Sequence, residues 1–167
     1  MRLEIRHEFR CAPEVFWQVF WDPEYDRLLD EAAGTTRTVV REWEEGGKRR
    51  WISRFEADAA KSDPQARLLG GDLLDYEQEN SFDERAGVLE WRVIPHLGIA
   101  KAALEARGVL YVTPAAAGCA RIVEGEIKVS IPLVGARLEA AIHGHVLQSY
   151  ERSAATIAEL IASRLGR

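Results

Sequence analysis

From Leu133 to the C-terminus the chain has no proline, and every residue to Leu165 is compatible with a helix. At ~1.5 Å per residue, some thirty helical residues span about 50 Å, which is long for a small domain. Val134, Leu138, Ile142, Val146, Tyr150, Ile157 and Ile161 form an apolar stripe along one side of it. A one-sided stripe needs an equally long apolar surface to lie on. The preceding residues say what that surface is. Lys128-Val-Ser-Ile131 closes an alternating strand, and Pro132-Leu-Val-Gly135 leads into the helix without a linker. The strands before it can supply that surface by curving around the helix.

The rest of the chain supplies that sheet. Leu3, Ile5, His7 and Phe9 alternate with Glu4, Arg6 and Glu8, the period-two pattern of a half-buried strand. Cys11-Ala-Pro-Glu14 then opens a helix, because proline's fixed φ and missing N–H suit the first helical position. Asp22-Pro23 repeats the start signal, with Asp22 as cap, so two short helices follow the first strand. Thr36–Glu44 and Lys48–Ala57 flank Gly46-Gly47 and read as a hairpin. A two-residue turn there puts Glu42 on the face of Trp51, whereas a three-residue turn puts Arg41 and Trp43 there. Both registers remain open at this level. Asp63-Pro64 and Gly70-Gly71 bound a loop, and strands are expected at Leu74–Phe82, Val88–Ile94, Leu104–Thr113 and Ala120–Ile131. In the last of these Gly125 shares a face with Val123, Ile127, Val129 and Ile131, where a glycine marks a bulge or sharp curvature. No repeat, low-complexity tract or linker interrupts the chain, so residues 1–167 are expected to form one domain.

Charge and composition narrow the partners. Apolar residues make up 47 % and charged ones 29 %, with a net charge of -5, which disfavours a broad phosphate-binding surface. The basic run Lys48-Arg49-Arg50 sits at the hairpin tip, where solvated charge is ordinary. No nucleic-acid partner is expected. The N-terminal alternation lacks the apolar block of a signal peptide, and no window approaches the ~18 apolar residues of a membrane span. The two cysteines, Cys11 and Cys119, lack a disulfide framework and read as reduced thiols in a cytoplasmic protein.

The order of elements, together with "CAPEVFWQVFWDPEY" after the opening strand and the closing "GEIKVSIPLVGARLEAAI", resembles the START-like or SRPBCC superfamily. This is the helix-grip fold of the birch-pollen allergen and polyketide cyclases. The second segment resembles one bacterial branch of it, a family of domains of unknown function. The resemblance implies an α+β helix-grip fold: a curved six- to seven-stranded antiparallel sheet wrapped around the C-terminal helix, with two short helices after strand 1. It also implies a cavity between sheet and helix that holds an apolar ligand.

Chemistry-bearing motifs are sparse. His143 and His145 suggest metal ligands, but residues two apart on a helix point about 160° apart, whereas helical metal sites use i and i+4. Cys11, His96 and Cys119 have no ligand spacing, and nucleophile elbows and phosphate-binding glycine loops are missing. No metal or cofactor is expected. The acidic pairs Glu44/Glu45, Glu77/Glu79 and Asp72/Asp75 read as solvated sheet face. His7 falls in the apolar phase of its strand, and Tyr76, Gln78 and Asn80 share the phase of Leu74 and Phe82. A buried polar group needs a partner or a ligand. With the aromatics, these give an expected cavity lining of His7, Trp51, Phe55, Tyr76, Gln78, Trp91, Tyr111, Ile127, Leu138, Ile142 and Val146. Access is expected near the short helices and Pro95-His96-Leu97-Gly98. The expected function is binding or carriage of an apolar small molecule (a lipid, quinone or polyketide-like compound) by a monomer or homodimer. The alternatives are a cyclase or dehydratase using His7, Tyr76 or Tyr111 as acid/base groups, and a co-chaperone-like interaction module.

Overall fold

A computed structural model describes residues 1–33, 35–57, 76–95 and 103–165. The first strand, β1 (Arg2–Phe9), buries Leu3, Ile5 and Phe9 and exposes the charges between them. Helix α1 (Pro13–Phe20) starts on Pro13, and α2 (Pro23–Ala33) starts beside Asp22, whose Oδ1 accepts from Glu24 N at 2.8 Å. Strands β2 (Thr35–Glu45), β3 (Lys48–Ala57), β4 (Tyr76–Asp83), β5 (Val88–Pro95), β6 (Leu104–Ala115) and β7 (Gly118–Val129) follow, then α3 (Gly135–Leu165). The strands form one antiparallel sheet in the order β1-β7-β6-β5-β4-β3-β2. Helices α1 and α2 carry the chain from one sheet edge to the other.

The hairpin turn settles its register. Gly46 and Gly47 have φ of 62° and 75°, left-handed values that glycine takes without steric cost and that a two-residue turn requires. Glu45 therefore pairs with Lys48, and Glu42 pairs with Trp51. Arg41 and Trp43 go to the other face, where Arg41 lies over the Trp43 ring at 4.4 Å. Residues Leu74 and His96-Leu97-Gly98 of the expected strand and access loop lie outside the described residues.

Gly125 pairs with Gly108 on β6 and Leu3 on β1, and the register runs through it without a shift. Close approach, rather than a bulge, explains it. A Cβ on Gly125 would lie 2.5 Å from Arg107 O, and one on Gly108 would lie 2.7 Å from Glu124 O and from Trp91 Cζ2. The glycine pair thus lets β6 and β7 coil tightly under the Trp91 indole.

The strand-to-helix join is tighter than expected. β7 ends at Val129 rather than Ile131, and Gly135 N donates back to Ile131 O at 2.8 Å. Leu133 takes a φ of 69° in this turn and is fully exposed. Along α3 the stripe divides into two halves. Ile157 and Ile161 are buried with Phe9, Phe16, Val19 and Cys119, whereas Leu138, Ile142, Val146 and Tyr150 are only half-buried. In this N-terminal half Ile142, Val146 and Tyr150 pack in part on the sheet cluster of Leu3, Trp91 and Val123.

Candidate functional site

Alternation decides which side chains face α3. The paired series Arg49/Phe82/Leu89/Leu110/Val123/Ile5 and Trp51/Asn80/Trp91/Gly108/Gly125/Leu3 place one face of β1 and of β3 to β7 toward the helix. Two abutting compartments lie on that side. One, of about 260 Å³, has Phe55, Tyr76, Gln78, Trp91, Ile142 and Val146 in its wall. The other, of about 230 Å³, is bordered by Trp51, Phe55, Gln78 and Trp91, with Phe20 and Trp21 at its end. Tyr25, Leu29, Arg37, Tyr150 and Ser153 border both. Each falls just short of the ~300 Å³ at which small-molecule sites begin, and together they reach it.

Four of the expected lining residues stand elsewhere. Tyr111 pairs with Val88 and Ile122 in the outward phase, because it is one residue out of step with Leu110. Ile127 is wholly buried in packing with Leu3, Val123 and Ala106. Leu138 is half-buried one turn before Ile142, outside both compartments. His7 faces inward, but both its ring nitrogens are occupied beside the cavity. Its Nδ1 lies 3.0 Å from Arg121 Nη2 and its Nε2 lies 2.9 Å from Glu151 Oε1. A guanidinium only donates, so Nδ1 accepts and Nε2–H donates to the carboxylate.

Arg121 is the residue that the sequence reading passed over. It pairs with His7 and Val112 in the inward phase of β7 and has 0 % exposure. Its Nη1 donates to Ser153 Oγ at 2.6 Å and its Nη2 also donates to Tyr150 O at 3.0 Å. The rings of Phe9 and Tyr150 flank it at 5.7 and 5.2 Å. Ser153 Oγ lies 2.8 Å from the Tyr25 hydroxyl, so a buried polar chain runs from β7 through α3 to α2. Burial pulls the Arg121 pKa below its ordinary value and pushes those of Tyr25 and Tyr150 up. Tyr76 is pushed up to about 12 by the same cause. These phenols stay protonated at neutral pH, so none of them is poised as a base.

The cavity ends on aromatic packing. Trp21 meets Trp51 edge-on at 5.6 Å and Phe82 at 5.0 Å, with the Arg49 guanidinium 5.2 Å from both indoles. Phe55 and Tyr76 stack at 4.9 Å across β3 and β4. The two helical histidines diverge: His143 Nε2 reaches Arg2 O at 3.1 Å, while His145 borders the larger inner compartment. Among the described residues no group of three or more His, Cys, Asp or Glu is placed to hold a metal, and no helix is long and apolar enough to cross a membrane. A depression of about 560 Å³ on the outer face is bordered by Arg50, Glu79, Glu90, Arg92, Arg107 and Glu124. Arg92 and Arg50 both pair across strands with Glu79, at 2.7 and 3.6 Å, which reads as a solvated sheet surface.

Comparison with known proteins agrees with this geometry. The family described as "Protein of unknown function (DUF2505)" matches residues 4–161. Nothing among the curated proteins matches the sequence. Ara h 8.0201 superposes with a TM-score of 0.67 at 12 % identity, covering 98 % of each chain. Norcoclaurine synthase from Thalictrum flavum superposes with a TM-score of 0.65 at 16 % identity, over 96 % of this chain and 86 % of that one. The protein TTHA0849 from Thermus thermophilus gives 0.63 at 15 % identity, over 98 % and 99 %. At these identities the likeness shows a shared helix-grip fold.

Proposed function

The chain belongs to the DUF2505 family and has the helix-grip fold, and from that premise we propose that it binds an apolar small molecule between the sheet and α3. The observation that carries this reading is the half-buried N-terminal part of α3. Ile142, Val146 and Tyr150 pack only in part on the sheet cluster and border the inner compartments with the rest of their surface. An apolar ligand seated there would remove their exposed surface from water, at about 25 cal/mol per Å². The wall of the larger compartment is mostly aromatic and aliphatic with a few polar groups, which is the composition of a small-molecule site, and the smaller one adds charged side chains. A norcoclaurine synthase of the same fold has been obtained with dopamine and hydroxybenzaldehyde, which supports a ligand of modest size. The free, buried Cys11 and Cys119 fit a reducing compartment and support a cytoplasmic location. We read the protein as one folding unit, working as a monomer or homodimer.

Native mass spectrometry of freshly purified protein, before and after incubation with lipid and quinone mixtures, tests this reading. We expect a stoichiometric adduct that is lost on denaturation. If no mixture yields an adduct, the proposal of an apolar ligand site fails.

A further inference from the structure

We infer that the ligand is a monoanion, an apolar body ending in a carboxylate, and that Arg121 anchors the carboxylate at the inner end of the cavity. The inference rests on the reading of the cavity as a ligand site and names the class of molecule it takes. Arg121 borders the smaller compartment and is fully buried, yet among the described residues no carboxylate touches it. Its Nε–H has no hydrogen-bond partner among the described residues. A buried charge ordinarily sits against an opposite one, because desolvating it unpaired costs several kcal/mol.

The charges around the same compartment leave Arg121 in surplus. Its acidic lining residues are Asp26 and Glu42, and its basic ones are Arg37, Arg49 and Arg121. Asp26 pairs with Arg37, and Glu42 accepts from Arg49 Nε at 2.9 Å. Glu151 reaches Arg121 only through the His7 ring, and its side chain is 73 % exposed, so water screens it. One positive charge is left facing the cavity among the described residues.

Proton counting supplies a second donor. Ser153 Oγ already accepts from Arg121 Nη1 and shares one hydrogen bond with the Tyr25 hydroxyl. Only one of those two hydroxyl hydrogens is used between them, whichever group donates. The other is available to the cavity, which both residues border. Arg121 Nε–H and one hydroxyl are thus two unused donors in residues that border the compartment, the number that the two oxygens of a carboxylate take up, and the single surplus charge matches a monoanion. A phosphate would bring more charge and more acceptor oxygens than this pair can satisfy.

A competition experiment tests the inference. The uncharged dye N-phenyl-1-naphthylamine reports occupancy by fluorescence, and decanoate and decanol compete for it below their micelle concentrations at neutral pH. We expect decanoate to compete about 10- to 100-fold more tightly than decanol, the range of a charge-assisted hydrogen bond. Arg121→Gln should bring the two competitors together while the dye still binds, and Ser153→Ala should narrow the gap. Equal competition on the unmodified protein, or an unchanged gap in Arg121→Gln with dye binding intact, would overturn the anion anchor and leave the apolar site standing. If neither dye nor competitor binds, both readings fall. Should Arg121→Gln not fold, the unmodified protein and Ser153→Ala still decide the question.

Discussion

Cys11 and Cys119 lie with their sulfurs 3.9 Å apart, both buried and both free. Burial raises the Cys11 thiol and pushes Cys119 up to about 12. Since only the thiolate reacts, a thiol-exchange reagent near pH ~8 should leave both untouched in the native protein and label both in denaturant. Rapid native labelling would contradict the packing of the second core. Tyr76, pushed up to about 12 by burial, makes an alkaline prediction. Its folded pKa exceeds the unfolded value of about 10, so its contribution is complete below pH ~10 and is lost as pH climbs to about 12. The urea midpoint of the native sequence should fall across that interval, and that of Tyr76→Phe should fall less. Equal slopes would show that Tyr76 is not the titrating group. His7 was legible in the sequence as an inward polar residue because its phase matches Leu3, Ile5 and Phe9. Arg121 carried the same signal, an arginine in phase with Cys119, Val123 and Ile127. What phase could not show is that Ser153, Tyr150 and His7 converge on it from two other elements.

At the scale of elements, the glycine pair of β6 and β7 bears the sharpest prediction. A side chain at Gly108 would collide with the Glu124 backbone and the Trp91 indole. Gly108→Val should destabilise the protein by roughly 1–3 kcal/mol, the usual cost of overpacking, seen as a lower denaturant midpoint with unchanged m-value. A neutral result would mean the strands can separate more easily than their spacing suggests. The strands and helices were readable because period-two and helical patterns are local, and so were the start signals at Pro13 and Asp22. The hairpin register was not. Only the two left-handed glycines and the Glu45–Lys48 pairing put Glu42 beside Trp51. Tyr111 failed for the related reason that strand phase depends on a partner: opposite Val88 and Ile122 it faces outward.

For the whole molecule, the chain's own pattern determined the architecture. A long proline-free helix with an apolar stripe, joined directly to alternating strands, has few ways to bury its apolar surface, and a sheet curved around it is the one adopted. That inference needs only local periodicity and the cost of leaving apolar surface in water. Much of the lining was legible in strand and helix phase, as Trp51, Gln78 and Val146 show, but the shape of the site was decided by tertiary structure. A cavity is space left between elements, and no residue encodes it singly. Which half of α3 packs tightly and which half borders the compartments depends on where α1, α2 and the sheet edges end. The surplus charge at Arg121 likewise exists only because Arg37 and Arg49 take the available acids and His7 stands between Arg121 and Glu151. Electrostatic neutrality is a property of distances in space, and sequence separation does not fix them.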